Sequence, residues 1–275
     1  MKRLILNADD FAFNAAVSRG IVSLARQGRL TATSAMTLSP RWVKDAPALA
    51  ELRGQIDVGL HLDWTSPFAA SAGHGKSLPK AMLQAVLGGA DIDAARMVVE
   101  HQLDAFEKVW KAPPSHIDGH QHVHQFKGIR EAVVSSMLQR YGQMPNVQNP
   151  YPKPYLRISK GASRWVDLKA NVIAALNANA IKKIAIEAKI SPAKALFGIY
   201  NFKKEESAYG ELMVQWLQAA PEQAIIMCHP AQGALETNDA SDSIAVARQR
   251  EFNYLASDVF FKDLVKAQVS ICPLR

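Results

Sequence analysis

The sequence predicts an α/β protein folded as a distorted (β/α) TIM-like barrel with a mainly parallel sheet. Three observations carry this. Short apolar, β-branched runs alternate with helix-like segments along the whole chain. Roughly seven such units fit the 275 residues, which is the scale of a barrel. Clusters of Asp and His follow the ends of the apolar runs, where barrel enzymes carry their sites. A doubly wound open sheet is the alternative, weakened because no glycine-rich phosphate loop follows the first strand.

The elements follow in order. Arg3–Asn7 (RLILN) reads as a buried strand. Asn14–Gln27 is a helix, with Asn14 as its N-cap and Gly28 as its stop. Thr33–Leu38 is the second strand, Arg41–Leu52 the second helix and Gln55–Leu60 the third strand. The stretch 63-DWTSPFAASAGHGKS-77 is long enough to be a substrate loop. Asp93–Lys111 is a helix with Val98, Leu103, Phe106 and Trp110 among its apolar residues. A strand at Ser115–Asp118 frays after Gly119 into a loop, and Gly128–Tyr141 is the next helix.

Pro145–Pro154 is proline-rich and irregular, with a short strand expected at Asn146–Gln148. Arg164–Ala180 and Ile190–Ala195 read as helices around a weak strand at Lys183–Ile186. Leu212–Ala219 is helical, Gln223–Cys228 a strong strand, Ile244–Ser257 a helix and Gln268–Cys272 the last strand. No linker, repeat or low-complexity tract interrupts the chain, so residues 1–275 are expected to form a single domain.

Composition narrows the class. Hydrophobic residues make up 48% and charged residues 21%, a globular balance that excludes a disordered chain. The start MKRLILNADD does not read as a signal peptide, because its apolar run stops after Leu6. No apolar stretch approaches the ~20 residues of a membrane span. Cys228 and Cys272 are therefore expected as reduced thiols, and the protein as cytoplasmic. The net charge of +7 raises a nucleic-acid reading. The basic residues between Lys153 and Lys204 are spread at helical spacing among Asp167 and Glu187, which reads as a solvated helix face, so no nucleic-acid partner is expected.

The densest chemistry lies in 116-HIDGHQHVH-124, with four histidines and an aspartate in nine residues. A helix would stack His116, His120 and His124, but Pro113, Pro114, Gly119 and the β-branched Ile117 and Val123 argue for an extended segment. Side chains then alternate, and His116, Asp118, His120, His122 and His124 share one side. Imidazoles and carboxylates at that density suit a metal, and a solvated histidine-rich turn is the plain alternative. Three more clusters follow strands: 7-NADDF-11, 59-GLHLD-63 and 228-CHP-230. A parallel sheet brings all four to one face. Adjacent carboxylates, Asp9 and Asp10, call for a cation or a proton between them, although Asp also serves turns and helix caps. His61 and His229 are each open to a structural reading as buried, hydrogen-bonded histidines.

These four motifs, in this order, resemble the YdjC-like carbohydrate deacetylases, which include the chito-oligosaccharide and hopanoid-biosynthesis deacetylases. The resemblance spans Arg3 to about Pro230. It implies a distorted (β/α) barrel, one divalent metal ion held by Asp10, His61 and His120, and hydrolysis of an N-acetyl group on an amino sugar. One departure stands out. The family's NADDFG reads NADDFA here, and Ala12 enters a left-handed turn less readily than glycine.

On this reading His122 and His124 line the pocket or support ligands, His116 is structural, and Asp118 orients His120 from the shared strand face. Asp9 is placed as general base and His229 as general acid, with the reverse assignment open. Two imidazoles and a carboxylate suit zinc, manganese or cobalt, with magnesium a less natural partner. Trp64 is the tryptophan best placed to stack on a sugar. The sequence does not give the oligomeric state; barrels of this kind often pair through helical faces, which makes a homodimer the arrangement to test. The competing classes are a metal-dependent hydrolase of another bond, such as a phosphoester, and a non-catalytic sugar-binding relative.

Overall fold

The sheet is organised around its first strand, β1 (Lys2–Phe11), which is long enough to pair with three others. The structure is a computed structural model and describes residues 1–146, 151–159, 178–202, 206–236, 239 and 241–274. The remaining strands are β2 (Ala32–Ala35), β3 (Asp57–Leu62), β4 (His116–Gly119), β5 (Tyr155–Leu156), β6 (Leu196–Phe197), β7 (Ile225–Cys228) and β8 (Val269–Ile271). Their order is β5-β4-β3-β2-β1-β7-β6, with β8 pairing the start of β1, and every pairing is parallel. The sheet curls into a half-barrel. Between β5 and β6 the described residues give one bridge, Leu156 to Pro192. The expected barrel is thus present in distorted, incompletely closed form.

Alternation along β1 explains the two layers. Leu4, Leu6 and Ala8 join the large core that the helices cover. Ile5 points the other way, into a smaller plug with Tyr155, Leu196, Ile225 and Met227 inside the curl. Above that plug the inward positions turn polar, beginning with Asn7 and Asp9. Helix α1 (Ala15–Arg26) starts where Asn14 caps it, its side-chain oxygen accepting from Val17 N at 2.8 Å. Helices α2 (Arg41–Ala50) and α5 (Ile92–Trp110) lock together through Trp42 stacked on Phe106, with ring centroids 5.4 Å apart. Among the described residues no helix is long and apolar enough to cross a membrane.

Several expectations need correction. The stretch 63–77 is not one open loop: it carries α3 (Pro67–Ser71), and α4 (Leu78–Val86) starts directly after it. Lys183–Ile186 is not a strand but part of α7 (Ala178–Glu187), which buries Ala178, Ile181 and Ala185 at helical spacing. Ile190–Ala195 is not a helix. Pro192 holds it extended and it leads directly into β6. Val147 and Gln148 of the expected short strand, and residues 164–177 of the expected helix, lie outside the described residues. Helices α6 (Ile129–Tyr141), α8 (Glu206–Ala219), α9 (Ala245–Ala256) and α10 (Asp258–Lys266) complete the outer layer. The thiols of Cys228 and Cys272 are both free.

The turn after β1 resolves the substitution at residue 12. Ala12 adopts φ +70°, the left-handed region that glycine enters at no cost. It is held there from both sides: Ala12 N donates to Ser18 Oγ at 3.2 Å, and Ser39 Oγ donates to Ala12 O at 2.6 Å. Ala12→Gly is expected to stabilise the fold by about 1 kcal/mol, read as a higher denaturant midpoint at unchanged slope. A variant less stable than the parent contradicts strain at this turn.

Candidate active site

Adjacent residues of a regular strand point to opposite faces, so Asp9 and Asp10 should diverge. They do not, because β1 is bulged. Ala8 pairs with Thr33 and Phe11 with Ala35, so three steps along β1 match two along β2. Asp10 takes the strain at φ +70°. Both carboxylates consequently reach the mouth of the half-barrel. They line one cavity of about 330 Å³ with His61, His120, His122 and His229.

His61 comes from β3 and sits beside Asp118 of β4 in the strand register. Its Nδ1 lies 2.7 Å from Asp118 Oδ1, and its Nε2 lies 3.2 Å from Asp10 Oδ1. His120 Nδ1 approaches the same oxygen of Asp10 at 3.0 Å. Three donor atoms, two imidazole nitrogens and one carboxylate oxygen, thereby face one point. Burial opposes charge on the His61 ring, but Asp118, Asp9 and Asp10 outweigh it and its pKa is pushed up to about 10. Burial also resists ionisation of Asp10, yet Arg248 and His120 hold its carboxyl well below the usual range. Arg248 Nη2 bonds Asp10 Oδ2 at 2.7 Å, leaving Oδ1 for the histidines.

Asp9 lies beside this group and is bound differently. Arg157 grips it with both ends of its guanidinium, Nη1 to Oδ1 at 2.6 Å and Nη2 to Oδ2 at 2.8 Å. Asn7 adds a bond to Oδ1 at 2.7 Å. Against the burial that disfavours its charge, Arg157 and then His61 keep the Asp9 pKa lowered. Asp118 is also held low by Arg157 and His61 despite burial, and accepts from Ser34 Oγ at 2.6 Å. His116 closes this layer, buried on Tyr155 at 5.0 Å between ring centroids and bonded to Ser34. A Cβ on Gly59 would collide with the His116 ring, so the glycine of 59-GLHL-62 is required by the close approach of β3 and β4.

His229 follows β7, the strand paired with β1, so it lies beside the Asp pair rather than across the barrel from it, its Nε2 4.0 Å from Asp9 Oδ2. Its backbone N donates to Glu251 Oε2 at 2.5 Å, and its Nδ1 lies 3.8 Å from Glu251 Oε1. Burial works against protonation of this ring, but Glu251, then Asp9 and Asp10, raise its pKa. Tyr200 donates to the same glutamate at 2.7 Å, and Phe202 sets its ring 5.2 Å from His229. Phe13 stacks beside His120 at 6.4 Å. The cavity therefore has aromatic walls over a charged floor.

The remaining sequence-derived candidates separate. His122 lines the cavity with its Nδ1 3.0 Å from Ser159 Oγ, and burial, then Arg157, keep its pKa well below the imidazole norm. His124 does not line the cavity: it is buried behind it, bonded to Arg157 O at 2.9 Å, with a pKa lowered to about 4 by burial and Arg157. The chain turns through a 3-10 segment, His120–Gln125, so the strict alternation expected of the histidines breaks after Gly119. The same turn carries His120 away from Asp118, which orients His61 instead. Trp64 is not at the cavity either. It packs into the core with its ring edge on His74. Sequence reasoning missed Arg157, Arg248 and Glu251. The one available signal was an arginine directly after the apolar pair Tyr155-Leu156, a strand end facing the Asp pair.

The YdjC-like protein family model matches residues 3–266. The chain belongs to the YdjC-like family. This YdjC-like chain is 32% identical over 131 residues to a chitooligosaccharide deacetylase of Proteus mirabilis (strain HI4320), a match covering 46% of this chain and 51% of that one. It is 32% identical over 143 residues to a chitooligosaccharide deacetylase of Yersinia pestis (strain Pestoides F), covering 49% and 55%. The chain thus spans about half the length of the relatives it matches. Its fold is shared by an Enterococcus faecalis V583 protein, provisionally described as a cellobiose-phosphate cleavage protein, with TM-score 0.70, 20% identity and coverage of 99% and 97%.

Trp64→Ala is expected to destabilise this YdjC-like fold by about 3–5 kcal/mol, measured by denaturant unfolding. A loss below about 1 kcal/mol would place the ring outside the core.

Proposed function

We propose that the chain is a metal-dependent hydrolase that removes the N-acetyl group from an amino sugar. The observation that carries this is the convergence of Asp10 Oδ1, His61 Nε2 and His120 Nδ1 on the cavity floor, with Asp9 and His229 beside them, 4.0 Å from each other. Family membership and the deacetylases named above support the substrate class.

The three donors fit a divalent ion. Metal–ligand bonds of about 2.0–2.2 Å put neighbouring ligand atoms about 3–3.5 Å apart, depending on whether the angles are near 90° or tetrahedral. The two histidine nitrogens lie 3.0 and 3.2 Å from Asp10 Oδ1. Asp118 fixes the far nitrogen of His61, the usual support for a metal-bound imidazole. Without an ion, the raised pKa of His61 keeps a proton in the cluster, and binding must displace it. Asp10, His61 and His120 would hold the ion, which supplies Lewis acidity toward a water and the acetyl oxygen. The donor set suits zinc, manganese or cobalt better than magnesium.

The chain's own groups move the protons. Asp9, kept ionised and aimed by Arg157 and Asn7, accepts a proton from the attacking water. His229, whose pKa is raised by Glu251 against the effect of burial, donates to the sugar nitrogen as the C–N bond breaks. Acetate and a free amine leave. Phe13, Tyr200 and Phe202 offer apolar faces to the pyranose ring, the role expected earlier of Trp64.

The test is acetate release from N-acetylglucosamine and its short oligomers, before and after EDTA and with zinc, manganese or cobalt restored. Release that EDTA abolishes and metal restores is expected. Asp10→Ala or His120→Ala should lose ion and turnover together. Asp9→Asn should keep the ion and lose turnover by about 10²-fold or more. Full turnover in Asp9→Asn removes it as the base, and release that survives complete metal removal overturns the metal dependence.

A further inference from the structure

The carboxylates under the cavity form two clusters that share one histidine. Asp10, His61 and His120 make the first, and Asp9, His61 and Asp118 the second, each with ligand atoms close enough for one cation. The second cluster is filled by the protein itself. Arg157 Nη1 lies between its two carboxylates, 2.6 Å from Asp9 Oδ1 and 2.8 Å from Asp118 Oδ2. Arg157 is fully buried, and so is Asp118.

We infer that Arg157 serves as the tethered second cation of a two-cation centre, and that it limits the site to one exchangeable metal ion. The inference rests on the metal reading above and extends it to the number of ions. A buried carboxylate pair needs a positive partner. Two carboxylate oxygens and the Ser34 hydroxyl beside them form an oxygen-rich set that a hard divalent ion can share. The guanidinium takes that place, anchored by the backbone: Arg157 N donates to Ile117 O at 3.0 Å, and Arg157 O accepts from His124 at 2.9 Å. An ion in the second cluster would use Asp9 as a ligand. Asp9 Oδ1 is taken by Arg157 and Asn7, but a guanidinium on Oδ2 leaves that oxygen a lone pair and keeps it available as a proton acceptor. Arg157 is a positioning residue by this account, acting on Asp9 and Asp118 rather than on substrate.

The experiment counts manganese. The parent, Arg157→Lys, Arg157→Met and the double variant Arg157→Met/Asp118→Asn are equilibrated with manganese(II), freed of loose ion and analysed for metal content, with unfolding midpoints recorded with and without manganese. One ion per chain is expected in the parent and in Arg157→Lys. Two are expected in Arg157→Met, falling back to one in the double variant. If Arg157→Met folds only in manganese, its midpoint should depend more steeply on manganese concentration than the parent's. Arg157→Met that folds and holds a single ion, or that stays unfolded at every manganese concentration while the double variant folds, overturns the inference. A parent that holds no ion is a different result: it defeats the metal reading itself.

Discussion

Three buried carboxylates crowd one histidine, and the rest of the centre is built around their charge. Asp9, Asp10 and Asp118 all lie within a few ångströms of His61 and are almost wholly removed from water. Unpaired, each would cost several kcal/mol. Two buried arginines answer part of this, Arg157 on Asp9 and Asp118 and Arg248 on Asp10. The oxygen of Asp10 that faces two imidazoles is where the remaining positive charge is needed. The carboxylates around His61 push its pKa up to about 10, and the proposed divalent ion would answer the same need through the lone pairs of both histidines.

The fold supplies what this crowding requires. Parallel pairing brings the ends of β1, β3, β4 and β7 to one face, so residues far apart in sequence meet without a long connection. The bulge between Ala8 and Phe11 brings two neighbouring carboxylates to the same side. Gly59 lets the His116 ring pass beneath the centre, and His116 with Ser34 fixes Asp118. Asp118 in turn sets the ring of His61. Among the described residues the site is held by a chain of small steric permissions, each fixing the next side chain.

Much of this was legible in the sequence, and the parts that were not share a physical cause. Asp9, Asp10, His61, His120 and His229 stood out because dense, metal-competent residues followed apolar runs, and parallel topology had to gather them. Arg157 did not stand out, because its strand is only two residues long and follows a proline-rich stretch with no β signal. Arg248 and Glu251 lie on a helix, where charged residues ordinarily read as a solvated face, although both are buried. Trp64 misled for the opposite reason. It sits in a polar, glycine-rich stretch that looks exposed, but its side chain is buried in the core with His74 against its ring. Asp118 was paired with the wrong histidine because a two-residue period was extended past Gly119, where the backbone turns.

The most direct test of the central claim is anomalous diffraction from crystals of the protein loaded with zinc or manganese, recorded on both sides of the metal's absorption edge. The account predicts one strong anomalous peak within bonding distance of Asp10 Oδ1, His61 Nε2 and His120 Nδ1, with Asp9 still held by Arg157. A fully loaded crystal with no peak at those three atoms, or with its peak on Asp9 and Asp118 and Arg157 displaced, would contradict it.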